Sequence, residues 1–142
     1  MTTEALLELA EKSGHLLLPP PKGLKTLDSA AVLLPSGTCA LMVREAGVDR
    51  KAYRERLGHE VGHAEEHAFY TKLSAPTCRD KCEGMAKRWQ YRNMVPLDEL
   101  CRVMAAGIRT AWELSDYFEL PEPLIRDVVA YYREICGQKF GT

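Results

Sequence analysis

The sequence lacks any apolar run long enough to cross a bilayer: runs such as Leu16-Leu17-Leu18 and Ala30-Ala31-Val32-Leu33-Leu34 fall far short of the ~20 residues required. It also lacks charge of one sign. Nineteen basic side chains stand against twenty acidic ones, a net of −1, which excludes a chain-wide basic field for nucleic acid or anionic lipid. The opening Met1-Thr2-Thr3-Glu4 has neither the basic nor the apolar region of a signal peptide, so the expected location is the cytoplasm. The five cysteines, Cys39, Cys78, Cys82, Cys101 and Cys136, are odd in number and irregular in spacing. No disulfide framework follows from them, and they read as thiols, mostly small core residues. Aromatics are few, at 8%, but 46% of the 142 residues are hydrophobic and 27% charged. That composition predicts one globular domain with a real core.

The pattern of apolar residues predicts an α+β, mainly helical chain in three parts. In residues 1–48, Leu6, Leu7 and Ala10 at helical spacing give a first helix over 4–13, ended by Gly14. Between His15 and Asp28 the prolines Pro19, Pro20 and Pro21 allow only a short strand and an irregular connector. Ala31–Leu34 and Cys39–Val43 flank Pro35-Ser36-Gly37 and predict a hairpin within a small sheet of three strands. In residues 49–95, Asp49 caps a long helix expected to run to Tyr70, and Ser74-Ala75-Pro76 separates it from a helix over Arg79–Asn93. In residues 96–142, short helices fit 97–106, 110–118 and 122–136, with breaks at Gly107, Pro121-Glu122-Pro123 and Gly137.

The long helix carries His59-Glu60-Val61-Gly62-His63. Residues four apart share a helical face, so both imidazoles reach one metal ion while Glu60 sits where a general base would. Gly58 and Gly62 cost a helix interior ~1 kcal/mol each relative to Ala, which predicts close approach of another backbone. A hydrolytic zinc site needs a third protein ligand and one open position. The residue six beyond His63 is Phe69, which excludes the metzincin pattern. A carboxylate on the next helix is the other source, and Glu83, on a helix able to return antiparallel, is the candidate. Glu65 and Glu66 lie too close to His63 and read as a solvated face. His67 is a local competitor, but eight residues beyond His59 it is rotated by ~80°. Cys78 and Cys82 offer a second alternative as thiolate ligands of a structural site.

The run from Leu57 to Tyr70 resembles the ImmA/IrrE family of metallopeptidases, found in bacterial prophages and mobile elements. Glu83-Gly84-Met85-Ala86-Lys87-Arg88-Trp89 is similar to that family's E-x-x-A-x-x-W segment. Val95-Pro96-Leu97-Asp98-Glu99-Leu100 and the stretch from Trp112 to Tyr132 fit as well, so the resemblance covers residues 50–135 and the N-terminal third only in layout. It implies a zincin-like domain with one Zn2+ on His59, His63 and Glu83, Glu60 as general base, and a phage-encoded or bacterial cytoplasmic setting. It further implies a protein substrate, a partner helix-turn-helix repressor. Tyr53-Arg54-Glu55-Arg56 departs from the family by being more charged than an apolar lead-in. His67, Tyr70 and Arg88 are candidates for holding the developing oxyanion or the substrate.

A competing reading is a non-catalytic regulatory module, metal-containing or built on a helix-turn-helix over 110–136. Charge opposes DNA binding there: Glu113–Ile135 holds six acids and two bases, where a recognition helix should be basic. The basic residues Arg79, Lys81, Lys87, Arg88 and Arg92 instead offer a face to an acidic partner, or to solvent.

Overall fold

Thr2 opens the first helix by accepting the amide of Ala5 on its hydroxyl, and the helix α1 (Thr3–Lys12) buries Leu6 and Ala10. The computed structural model of the chain describes residues 1–21, 28–71 and 73–140. Three strands follow α1: β1 (Leu16–Leu18), β2 (Ser29–Leu33) and β3 (Cys39–Val43). The connector expected after Pro21 lies, over 22–27, outside the described residues. The sheet order is β1-β3-β2. The hairpin of β2 and β3 is antiparallel with Ala31 opposite Leu41, and Gly37, at φ +87, makes the turn that only glycine takes without strain. β1 joins the other side of β3 in parallel, Leu17 opposite Leu41, a pairing that needs a crossover and leaves no local sequence signal.

Six helices make up most of the described chain. Asp49 caps α2 (Arg50–Glu65) by accepting from the amide of Ala52. The helix α3 (Pro76–Met94) begins with proline at its first position, where a missing N–H costs nothing. The start expected at Arg79 therefore falls three residues earlier, because Pro76 opens this helix and does not merely break the chain before it. α4 (Leu97–Ala105), α5 (Ala111–Phe118) and α6 (Glu122–Ala130) follow. The last expected helix changes pitch at Tyr131 and finishes as a π-helical turn over Tyr131–Ile135. Among the described residues no helix is long and apolar enough to cross a membrane.

α2 runs through the centre. Leu57 and Val61 are fully buried with Leu6, Leu41, Leu100 and Leu114, and each such side chain contributes ~1.5–3 kcal/mol. The charged lead-in to the motif has a structural use. Arg54, only 4% exposed, donates to the carbonyls of Met1, Phe118 and Glu119 and to the Thr3 hydroxyl. The C-terminal carbonyls of α5 and the start of α1 are thereby tied to α2, satisfying groups that burial would otherwise leave unpaired. Glu65 likewise is no free surface charge, since it accepts from Ser13 and faces His15 at 3.2 Å.

Candidate metal and catalytic site

α2 and α3 touch where α2 has no side chains. A Cβ on Gly62 would stand 2.8 Å from the backbone oxygen of Ala86, and one on Gly58 2.1 Å from Sδ of Met94. The order of these contacts makes the helices antiparallel; Gly62 is the expected point of close backbone approach, whereas Gly58 gives room to the Met94 and Gln90 side chains. Glu83, one turn before Ala86, is thus delivered to the face that carries His59 and His63.

Three candidate ligand groups converge. Nε2 of His59 lies 3.2 Å from Nε2 of His63, the Glu83 carboxylate is 2.9 Å from His59, and its other oxygen is 3.3 Å from His63. Ligand atoms at ~2.0–2.1 Å from a tetrahedral zinc stand about 3.3 Å apart, so this donor set fits such an ion. Glu60, 4% exposed, also brings a carboxylate oxygen within 4.8 Å of both imidazoles. Of the two carboxylates Glu83 is the nearer to the imidazoles.

The second nitrogen of His63 settles its tautomer. Nδ1 stands 2.7 Å from the carbonyl oxygen of Ala68, an acceptor only, so Nδ1 carries the proton and Nε2 turns a lone pair into the site. That carbonyl is in place because α2 ends early. The helix expected to reach Tyr70 stops at Glu65: His67 takes a left-handed φ of +49, and the amide of Ala68 returns to the carbonyl of His63 at 2.9 Å. Ala64, Ala68 and Phe69 continue the helical spacing in sequence, and a left-handed histidine breaks it without the glycine that usually marks a helix end.

Burial and neighbours set the protonation states. Desolvation, reinforced by His63, lowers the His59 pKa against the pull of Glu83, which favours the neutral ligand form. Desolvation raises Glu60, partly opposed by a hydrogen bond from Ser29 on β2. Burial pushes Glu83 up, but the Tyr70 hydroxyl and the two histidines outweigh it and hold the carboxyl below its ordinary value. Tyr70 donates to Glu83 at 2.5 Å, and that bond is the main reason its own pKa is pushed up to about 12.

A cleft of about 300 Å³ opens on this group, walled by Ser29, Ala30 and Val32 of β2 and by Phe69 and Tyr70. Of the sequence-predicted residues, His59, Glu60, His63, Glu83 and Tyr70 come together here. His67 does not line the cleft; it is exposed and packs edge-on against Phe69 at 5.8 Å. Arg88 lies in a separate surface hollow with Glu66, Trp89 and Arg92. Cys78 is exposed and Cys82 turns its thiol to the Phe69 carbonyl at 3.6 Å; among the described residues neither cysteine belongs to a cluster that could hold an ion. Sequence reasoning missed Ser29 and the Ala68 carbonyl. The first is 31 residues from Glu60 and the second is backbone, so neither leaves a motif. The chain matches no protein-family model, no curated protein and no solved structure.

Proposed function

We propose that the protein is a zinc-dependent endopeptidase of zincin-like build, with His59, His63 and Glu83 as ligands. The observation that carries this reading is the convergence of two imidazole nitrogens and one carboxylate within 3.3 Å, beside a second buried carboxylate that is not needed as a ligand. When bound, the ion supplies Lewis acidity, polarising a carbonyl oxygen and lowering the pKa of water toward ~7. The protein's own residues do the rest. Glu60, raised by burial, accepts the attacking water's proton as the new C–O bond forms, and returns it to the leaving amine as the C–N bond breaks. Ala68 fixes the His63 ring through Nδ1. Tyr70 keeps its proton at neutral pH and spends it on Glu83, orienting that carboxylate; a role toward the developing oxyanion requires this bond to be exchanged for one to the substrate.

A protein substrate suits the cleft because the outer edge of β2 is one of its walls, and an extended peptide can add to a sheet edge. The resemblance to the ImmA/IrrE family points to a partner transcriptional repressor as that substrate. The deciding experiment is elemental analysis of the protein with its His59→Ala, Glu83→Ala and Glu60→Gln variants, alongside cleavage of a mixed peptide library. One ion per chain, lost or weakened in the first two and kept in the third with hydrolysis abolished, is the expected result. No ion bound even after zinc is supplied overturns the proposal and favours an interaction module.

A further inference from the structure

Glu83 spends its carboxylate on the site. One oxygen meets His59 and the other meets His63 and the Tyr70 hydroxyl. On an exposed helix a glutamate would instead be shared with basic residues four positions away, and here those positions are Arg79 and Lys87. Both are exposed, and among the described residues neither makes an ion pair. Arg79 is held on the cleft side all the same. The Arg79 guanidinium stands 5.6 Å over the Tyr70 ring, and Tyr70 is a cleft wall. Lys87 lies one turn beyond Glu83 on the same flank of α3, about 40° round the helix. The remaining cations of this helix, Lys81, Arg88 and Arg92, fall about 100° or more further round. Facing them, β2 contributes Ser29, Ala30, Ala31 and Val32, none of them charged.

We infer that Arg79 and Lys87, the two uncompensated cations one turn either side of Glu83, select a peptide with acidic side chains flanking the bond held at the site. This rests on the proposed peptidase reading and adds a substrate class to it: an acidic segment, recognised by charge on either side of Glu83. Exposed pairs contribute up to about fivefold each, so the preference for acidic over neutral peptide should be about tenfold and should fall as salt screens it.

The test separates recognition from cleavage. Peptides of one backbone sequence carrying Glu, Gln or Lys at the flanking positions are titrated by fluorescence anisotropy against zinc-loaded full-length Glu60→Gln protein, at low and high salt. The same peptides are offered to the wild-type protein for cleavage. Expected is about tenfold tighter binding of the Glu peptide, abolished by Arg79→Gln with Lys87→Gln and reversed toward the Lys peptide by Arg79→Glu with Lys87→Glu. Circular dichroism and zinc content of each variant confirm that the fold and metal site persist. Equal binding of Glu and Gln peptides, or a preference that survives the double substitution, overturns the inference. Equal cleavage of all three peptides overturns it while leaving the peptidase reading standing; acid-selective binding with no cleavage by wild type does the reverse.

Discussion

The contact between α2 and α3 makes a prediction in which the closer clash is the cheaper one. Gly→Ala in a helix interior gains ~1 kcal/mol of propensity when nothing stands in the way. At Gly58 the new methyl would lie 2.1 Å from Sδ of Met94, but that atom is near the end of an unbranched side chain that repacks readily. At Gly62 it would lie 2.8 Å from the Ala86 carbonyl, and a helix backbone has no rotamer to change. Reaching ordinary contact near 3.4 Å requires α3 to retreat by about 0.6 Å, and overpacking of this kind costs ~1–3 kcal/mol. Gly58→Ala should therefore stay within about 1 kcal/mol of wild type, and Gly62→Ala should be less stable than Gly58→Ala by about 1–2 kcal/mol after the propensity gain common to both. Glu83 sits one turn from Ala86 on the displaced helix, and ligand distances tolerate only about 0.2 Å. Zinc affinity should accordingly fall about tenfold or more in Gly62→Ala. Urea unfolding of the metal-free variants and competitive chelator titration measure the two quantities. If Gly62→Ala matches wild type in both, the close apposition of the helices is not what positions Glu83.

Other outcomes follow from single contacts. Arg54→Ala removes the donors to Met1, Phe118 and Glu119 and leaves buried carbonyls unpaired, so chemical denaturation should show a loss of about 2–4 kcal/mol; a loss below half a kilocalorie would mean that α1 and α5 do not depend on this clamp. Tyr132→Phe deprives the Val95 carbonyl of its 2.7 Å partner with little change in packing, and should cost about 1–2 kcal/mol with the zinc site unaffected. Zinc at a hundredfold excess over its dissociation constant should stabilise the wild type by about 2.7 kcal/mol, raising Tm, and should do nothing for His63→Ala. Tyr70→Phe removes the bond that does most to hold the Glu83 carboxyl down. The carboxyl pKa then rises, so zinc binding should weaken on acidification at a higher pH than in wild type, as read by metal titration across pH 4–7; unchanged acid sensitivity would refute that role for the hydroxyl.

Much of the fold is legible because apolar spacing, turn residues and the Asp49 cap mark its elements. Thr2, Asp49 and Thr110 each accept an amide of the helix that they open, and apolar spacing marks the buried faces. Two features are not legible, for different reasons. The parallel pairing of β1 with β3 depends on a crossover whose register no local residue encodes. The burial of Arg54 depends on where α1 and α5 end, which is a tertiary fact: read alone, a charged turn before the motif looks like surface.

The candidate site divides the same way, and the division shows what a motif can encode. His59, Glu60 and His63 are fixed relative to one another by helical geometry alone, so their spacing is the information. Glu83 needs one further condition, an antiparallel α3 held close, and Gly62 announces it because glycine in a helix interior is costly unless backbone must pass. The orientation of the His63 ring needs a carbonyl in a chosen place, and that comes from ending α2 two residues after His63 and turning the chain back through a left-handed His67. Here a histidine in the left-handed region does what sequence reasoning assigns to glycine, and it costs some backbone strain. His67 is thus absent from the cleft and still acts on it, by placing the Ala68 carbonyl under Nδ1. His67→Gly should relieve that strain and leave the ring held, whereas His67→Val, β-branched and averse to positive φ, should loosen it. The separation would be read as zinc affinity preserved in the first variant and reduced in the second. If both bind as wild type does, the left-handed turn is not what aims His63.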